Sequence, residues 1–331
     1  MSKINIYIKT LTACGAVAIM AMGCDKEDDT AKRDNNRIAQ VLADNFNLTV
    51  MNQVVMRGGL RDRADGDQTM TLFSPSDEAF AKAGYANSSA ILTAAYDRVA
   101  RLARYHMVEG NYEIDKMPFL FNQEIRSLGG KLYVTRWIKN GDTVLTINGS
   151  RLLSTAVNAS NGKVQVIDRM LEPYVHETIA DAIASNKDLT LFNRALQRAG
   201  MTELLKGNTP HTVYAPSNQA MTAIGYGTLE TIEAADPAVL GELLRYQMVA
   251  DRRFVNDYIL SIGSTNEGRQ GMLNNSSVTV TLIPDIQKPG AFTGISLKGI
   301  GNTSVTNLVQ QDIITGNGVL HITDQVLRIT Q

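Results

Sequence analysis

The chain has 331 residues, 44% of them hydrophobic, with 32 Lys plus Arg against 33 Asp plus Glu. That length suits about two domains, each able to bury a core of its own. With a formal net charge of −1, nothing points to nucleic-acid binding, which depends on a basic face.

Lys3 and Lys9 precede Thr10–Met22, an uncharged run rich in Ala, Leu, Val, Ile and Met. These are the n-region and h-region of a secretory signal peptide, too short to span a membrane. The run has no polar face, as a buried helix of a globular domain would. It ends in Ala21-Met22-Gly23-Cys24, which resembles a bacterial lipobox and implies acylation of Cys24. Cys14 follows Leu11-Thr12-Ala13, but cleavage there would leave almost no h-region after Lys9. Residues 1–23 are read as a lipoprotein signal peptide. The mature chain then keeps one lipidated cysteine and no disulfide, and losing Lys3 and Lys9 takes its net charge from −1 to −3. Residues 24–35 read as a polar tether. Within it, Asp25-Lys26-Glu27-Asp28-Asp29 resembles the signal of surface-exposed Bacteroidota lipoproteins, and Asp29-Thr30-Ala31 resembles that phylum's O-glycosylation motif.

Ile38, Val41 and Leu42 begin a first helix, and Val50, Val54, Val55 and Leu60 continue an apolar face up to Gly58-Gly59. Asp62, Asp65 and Asp67 lie in a solvated loop whose spacing does not fit an EF-hand. Thr71–Phe80 reads as a strand that stops at Pro75 and turns into a helix. Ser74-x-x-Asp77 looks like a capping box with Pro75 at N1. Ser76 is the preferred cap, because the related stretch Thr212–Met221 has Ala215 in place of Ser74 and keeps only Ser217. Residues 91–107 predict one helix, with Leu92, Ala95, Tyr96, Val99, Leu102, Ala103 and His106 on a single stripe. Lys131–Ile138, the turn Asn140-Gly141 and Thr143–Ile147 predict a hairpin, and Val164–Met170 a closing strand. Glu172–Glu177 is a linker short enough to hold two domains close. The second half begins a helix at Thr178-Ile179-Ala180. Asp236-Pro237 caps its longer helix, lined by Val239, Leu240, Leu243 and Leu244, and Ser277–Ile283 alternates as a strand.

Three boxes recur in order. Thr71–Phe80 returns as Thr212–Met221, Arg104-Tyr105-His106-Met107-Val108 as Arg245-Tyr246-Gln247-Met248-Val249, and Asn161–Asp168 as Asn317–Asp324. The offset is 141 residues at Pro75/Pro216 and Tyr105/Tyr246, and 156 at Asp168/Asp324. These boxes resemble those of the fasciclin-like (FAS1) domain. The resemblance implies an α+β chain of two FAS1-like domains, residues 36–173 and 174–331, each a small twisted β wedge or sandwich flanked by helices. Much of the 15-residue excess (156 − 141) falls at Pro284–Gly294, which replaces the tight Asn140-Gly141 turn.

The family's Tyr-His box is linked to cell adhesion, which marks Tyr105 and His106 as candidate binding residues. His106 lies on an apolar face, however, and Gln247 replaces it in the second copy. Glutamine keeps a hydrogen bond but not the proton chemistry. Reciprocally, His321 stands where the first copy has Gln165, so a structural role is expected at this position. Ile286, Lys288 and Phe292, on a long loop stiffened by Pro284 and Pro289, are the other candidates. No Gly-x-Ser-x-Gly, P-loop, Gly-x-Gly-x-x-Gly, Cys-x-x-Cys or His-Glu-x-x-His occurs, and His106, His176, His211 and His321 lack metal-ligand spacing. No enzyme, cofactor or metal is expected. The resemblance implies a surface adhesion module for an extracellular protein or glycan, held in the outer membrane by its lipid alone and open to an outer-membrane complex partner. Two other readings stand beside it: a structural envelope protein acting by self-association, and a carrier of an apolar ligand.

Overall fold

The computed structural model describes residues 36–330. The signal peptide, Cys24 and Asp25–Asp29 lie outside the described residues. The first domain runs through α1 (Ile38–Asp44), α2 (Thr49–Arg57), α3 (Arg61–Ala64), β1 (Met70–Pro75), α4 (Asp77–Lys82), α5 (Ser88–Thr93) and α6 (Tyr96–His106). It continues as β2 (Met107–Glu109), β3 (Gln123–Ser127), β4 (Gly130–Lys139), β5 (Asp142–Ile147), β6 (Ser150–Arg151), β7 (Val157–Ala159) and β8 (Gly162–Ile167). The second opens with α7 (Ile179–Ser185), α8 (Thr190–Arg198), β9 (His211–Pro216), α9 (Asn218–Ala223), α10 (Leu229–Glu233) and α11 (Pro237–Arg245). It closes with β10 (Met248–Val249), α12 (Val255–Ser261), β11 (Glu267–Gly271), β12 (Ser277–Pro284), β13 (Phe292–Lys298), β14 (Thr306–Ile314) and β15 (Gly318–Thr323).

Each domain is built on a parallel pair, β1 with β8 and β9 with β15, whose registers begin at Met70↔Gly162 and His211↔Gly318. The first domain divides its strands between two sheets, β2-β1-β8-β7 and β3-β4-β5-β6. In the second, β14 pairs with both β13 and β15, and one seven-stranded sheet, β10-β9-β15-β14-β13-β12-β11, results. Helices cover one side of each parallel pair. Phe80, Val54, Leu102 and Val164 belong to that core in the first domain, and Phe192, Leu196, Leu244 and Leu320 in the second. A second cluster lies on the hairpin side, around Phe73 and Tyr105 or Tyr214 and Tyr246.

The expected caps form. Ser76 Oγ accepts from Ala79 N–H at 3.1 Å and Ser217 Oγ from Ala220 N–H at 3.2 Å. Pro75 and Pro216 end strands rather than open helices, so the box at Ser74 does not form. Asp77 turns instead to the start of α2, accepting from Thr49 and Val50 N–H, and Asn218 does the same for Leu191 of α8. Asn140 (φ 54°) and Gly141 (φ 92°) make the predicted two-residue turn between β4 and β5. Two expected continuous helices are broken. Residues 91–107 divide at Ala94-Ala95, whose ψ values of 154° and 132° are extended, and Arg57 takes the Ala94 carbonyl at 3.0 Å. Leu92 and Tyr96 are consequently exposed, and the buried stripe is Val99, Leu102, Ala103 and His106. The first helical face breaks between Asp44 and Thr49, and Arg61–Ala64 forms a helical turn where a loop was expected. Val239 also lies outside its helix's buried face.

One carboxamide ties each parallel pair to the start of its domain. Asn161 Oδ1 accepts from Ile38 N–H at 2.9 Å, and its Nδ2 donates to Ala64 and Gly66 carbonyls, both at 2.9 Å. Asn317 repeats this with Ile179 N–H and the Leu205 and Gly207 carbonyls. The following glycine is obligatory, because a Cβ at Gly162 would meet Met70 O at 1.8 Å and one at Gly318 would meet His211 O at 2.2 Å. Asn161→Ala removes the partner of three backbone groups and should cost about 2–4 kcal/mol. Chemical denaturation with the midpoint followed by circular dichroism checks this, and a loss below about 0.5 kcal/mol would contradict it.

Candidate functional site

The box residues are committed to the interior. Tyr105 and His106 are both fully buried. Tyr105 OH donates to Lys131 O and accepts from Asn148 Nδ2, each at 2.9 Å. His106 Nδ1–H donates to Leu102 O at 2.9 Å, while Nε2 accepts from Leu171 N–H at 3.1 Å. Burial lowers its pKa to about 4, so the ring stays neutral. Gln247 makes the same two connections with one amide and adds a third: Nε2 donates to the Leu243 carbonyl, Oε1 accepts from Leu327 N–H, and Nε2 also donates to the Leu327 carbonyl. Neither Tyr105 nor His106 offers a surface to a partner. His321 is also buried, stacked on Tyr214 with ring centroids 5.2 Å apart, and accepts at Nδ1 from Asp312 N–H. Gln165, its counterpart, makes no side-chain hydrogen bond among the described residues.

The long hairpin loop reaches outward. Ile286 is 98% exposed and Lys288 is exposed, whereas Phe292 is half-buried against the hairpin-side core of the second domain. The loop proper is residues 285–291, closed by Asp285 N–H to Ala291 O and Ala291 N–H to Lys288 O, both at 2.9 Å. Asp285, Lys288 and residues 290–293 line one cleft with residues of the first domain.

The domains meet along α12. Tyr133 of β4 packs with Phe254 and Val319 in a small cluster of its own, and the Arg252 guanidinium lies 3.7 Å from the Tyr133 ring centroid. Buried Asp257 accepts from Phe254 N–H at 2.8 Å and, across the seam, from Asn122 Nδ2 at 2.9 Å and Thr135 Oγ1 at 3.2 Å. Asp312 accepts from Val255 N–H at 2.8 Å and pairs with Arg169 at 3.2 Å. Lys139 donates to Ile262 O and Arg169 to Gly149 O. The turn at Gly149 has no room for a side chain, because a Cβ there would meet Phe254 Cβ at 2.9 Å. The linker is equally fixed: Tyr174 stacks edge-on against Tyr105, with centroids 6.2 Å apart. Burial pushes the Asp257 carboxyl up to about 6, with the Asn122 and Phe254 hydrogen bonds and Arg253 pulling down and Asp312 pushing up.

Beside the seam opens a cleft of about 910 Å³. Its walls are the β4–β5 hairpin, residues 151–156 from the end of β6 towards β7, the face of β8, α12, and the loop from Asp285 to Thr293. No group of His, Cys, Asp and Glu able to hold a metal ion occurs among the described residues.

Sequence reasoning placed the candidates in the boxes and the loop and missed the seam. A signal was available. Val255–Ser261 corresponds at the 141-residue offset to Ile114–Lys116, a short 3₁₀ turn, so Lys116 stands where the second copy has Asp257.

Two α+β repeats that share their caps, their parallel pairs and their asparagine ties define a tandem-domain protein with no catalytic constellation in its boxes. The Fasciclin domain family matches residues 46–173 and 187–329, and the chain belongs to that family. It is 26% identical over 268 residues to the transforming growth factor-beta-induced protein ig-h3 of Sus scrofa, a match covering 81% of this chain and 36% of that protein. It is 27% identical over 287 residues to human periostin, covering 81% and 29%. The chain thus spans about a third of the length of these curated relatives. A solved FAS1 domain pair from the insect cell adhesion molecule fasciclin I aligns with a TM-score of 0.40 at 14% identity, over 85% of this chain and 97% of that one.

His106→Gln should fold with an unchanged melting temperature, whereas His106→Ala should lose about 1–3 kcal/mol by orphaning Leu171 N–H and Leu102 O. Calorimetry of the two variants decides, and equal destabilisation would refute the equivalence with Gln247. A second prediction concerns pH. Because the folded pKa of Asp257 exceeds its unfolded value, the folded state binds the extra proton, and stability from this group rises as pH falls from about 6 towards 4. The buried neutral histidines act in the opposite sense, since their lowered pKa values make acid destabilising. The wild type minus Asp257→Asn difference isolates the carboxyl. It should favour the wild type increasingly on acidification, by up to about 1.4 kcal/mol per pH unit. A difference that is flat between pH 4 and 7 would contradict the assignment.

Proposed function

We propose that this protein is a non-catalytic adhesion module that recognises an extracellular protein or glycan, lipid-anchored at Cys24 in the outer membrane and facing outward. One observation carries the binding reading. The box residues shared by the copies, including Tyr105/Tyr246, His106/Gln247 and Asn161/Asn317, are committed to internal hydrogen bonds, so partner recognition falls to the surfaces in which the copies differ. The most prominent is the loop from Asp285 to Ala291, with Ile286 and Lys288 projecting on a rigid hairpin. The anchor and the outward location rest on the sequence of residues 1–29.

The test uses tagged full-length protein on intact cells. Fatty-acid labelling should mark the wild type and not Cys24→Ala, and protease added to whole cells should remove the protein. Pull-down from intact outer membranes should yield one stoichiometric partner, and replacing Asp285–Ala291 by Asn-Gly should weaken that association at least about tenfold, or 1.4 kcal/mol, with Phe292 and the fold retained. Self-association alone, or undiminished binding by the shortened protein, would overturn the reading.

A further inference from the structure

Two side chains in the interdomain cleft are left without partners. Gln165, on β8 of the first domain, is 4% exposed, and Asn256, on α12 of the second, is 7% exposed. Both line the cleft. Neither makes a side-chain hydrogen bond to any described residue, and Asn256 Nδ2 is buried and unsatisfied. A buried polar group left unpaired, as Asn256 Nδ2 is, costs about 1–3 kcal/mol, and folded proteins seldom leave one so; no Gln165 amide atom is buried and unsatisfied in that way. The same position in the second domain is filled differently: His321, counterpart of Gln165, is bonded at both ring nitrogens, to Asp312 N–H and Arg253 O. In the first domain the corresponding amide of Gln165 lines the cleft instead.

We propose that this cleft binds a neutral oligosaccharide that bridges the two domains through Gln165 and Asn256. The proposal rests on the reading above that the protein recognises an extracellular molecule, and it names the chemistry of that molecule and a second place where it docks. The volume lies within the roughly 300–1,000 Å³ of small-ligand sites. A carboxamide both donates and accepts, as does a sugar hydroxyl, so each amide can satisfy a pair of neighbouring hydroxyls. The charges lining the cleft are near balance, five cations against four carboxylates, and so favour a ligand of no net charge. Lys139 is bonded to Ile262 O, Arg169 to Asp312 and Lys163 to Glu113, and the other two cations, Arg151 and Lys288, share the lining with Asp115, Asp142 and Asp285. Asp168 is likewise held by Ser150 Oγ and Arg151 N–H. Ile259 and Phe292, beside the amides in the cleft wall, offer apolar surface to the C–H faces of a sugar ring. An extended peptide would instead need an open backbone edge, and Asn256 stands on a helix whose backbone is paired within itself.

The experiment is saturation-transfer NMR and thermal shift on the full-length protein. The probes are di- to tetrasaccharides of glucose, galactose, mannose and N-acetylglucosamine at about 5 mM, which reaches millimolar affinities. At least one probe should bind and raise the melting temperature, and Gln165→Leu and Asn256→Leu should each weaken it at least about tenfold. The unliganded variants should melt no lower than the wild type, because an apolar group replaces an unpaired amide. Absence of binding by every probe, binding that survives both substitutions, or early melting of both variants would each overturn the proposal. The membrane pull-down separates this idea from the adhesion reading. If both leucine variants keep the partner and no saccharide binds, the cleft proposal fails alone. If saccharide binds at the cleft but no partner is captured, the adhesion reading fails alone.

Discussion

Asn161 and Asn317 each stand where three segments of a domain meet: the first helix, the turn before the first central strand, and the last strand that lies parallel to it. A parallel pair cannot be closed by a tight turn, so its two strands reach each other only after the whole domain has been traversed. The chain between them is long, and the contact that seals it must hold backbone groups with no partner in the sheet. One planar amide with a two-pronged donor and an acceptor does this in each copy, and the adjoining glycine lets the strands approach. Helix packing, the serine caps and the outer hairpins are arranged around that closure.

The two domains are alike inside and unlike where they face each other. The seam is polar: a buried carboxylate at the start of a short helix, a second carboxylate paired with arginine, and one arginine laid on a tyrosine ring. Ion pairs of this kind contribute less to stability than to register. Together with the packed linker they fix the angle at which the domains stand, and hence the shape of the cleft beside them. A ligand that spans the cleft sees a preformed surface, with little ordering left to oppose binding.

Much of the scaffold was legible because repetition removed ambiguities that a single copy leaves open. Ala215 excluded Ser74 as the helix cap, and Gln247 argued that His106 was structural. Where the copies were not compared closely, the sequence misled. Ala94-Ala95 reads as helix by propensity, yet the position corresponds to Asp236, whose cap and following proline announce the break in the second copy. Tertiary contact decided the matter in the first, with Arg57 capturing the Ala94 carbonyl. The seam was illegible for a different reason. Asn122 meets Asp257 across 135 residues, and a cap whose first residue is Phe254 carries none of the usual serine or threonine signal.

The asparagine tie also determines how the molecule would carry a load. Tension entering at residue 36 meets the Asn36 carbonyl, which accepts from Ser160 N–H at 2.9 Å, then the Arg37 side chain on Asp65 O and Asp67, and then Ile38, whose N–H is held by Asn161. The load is thus shared between the turn that joins β7 to β8 and the tie at Asn161 that leads into the central strands. Pulled from that end, the domain would yield only by breaking several bonds in quick succession, from side chains and backbone alike, rather than one strand at a time.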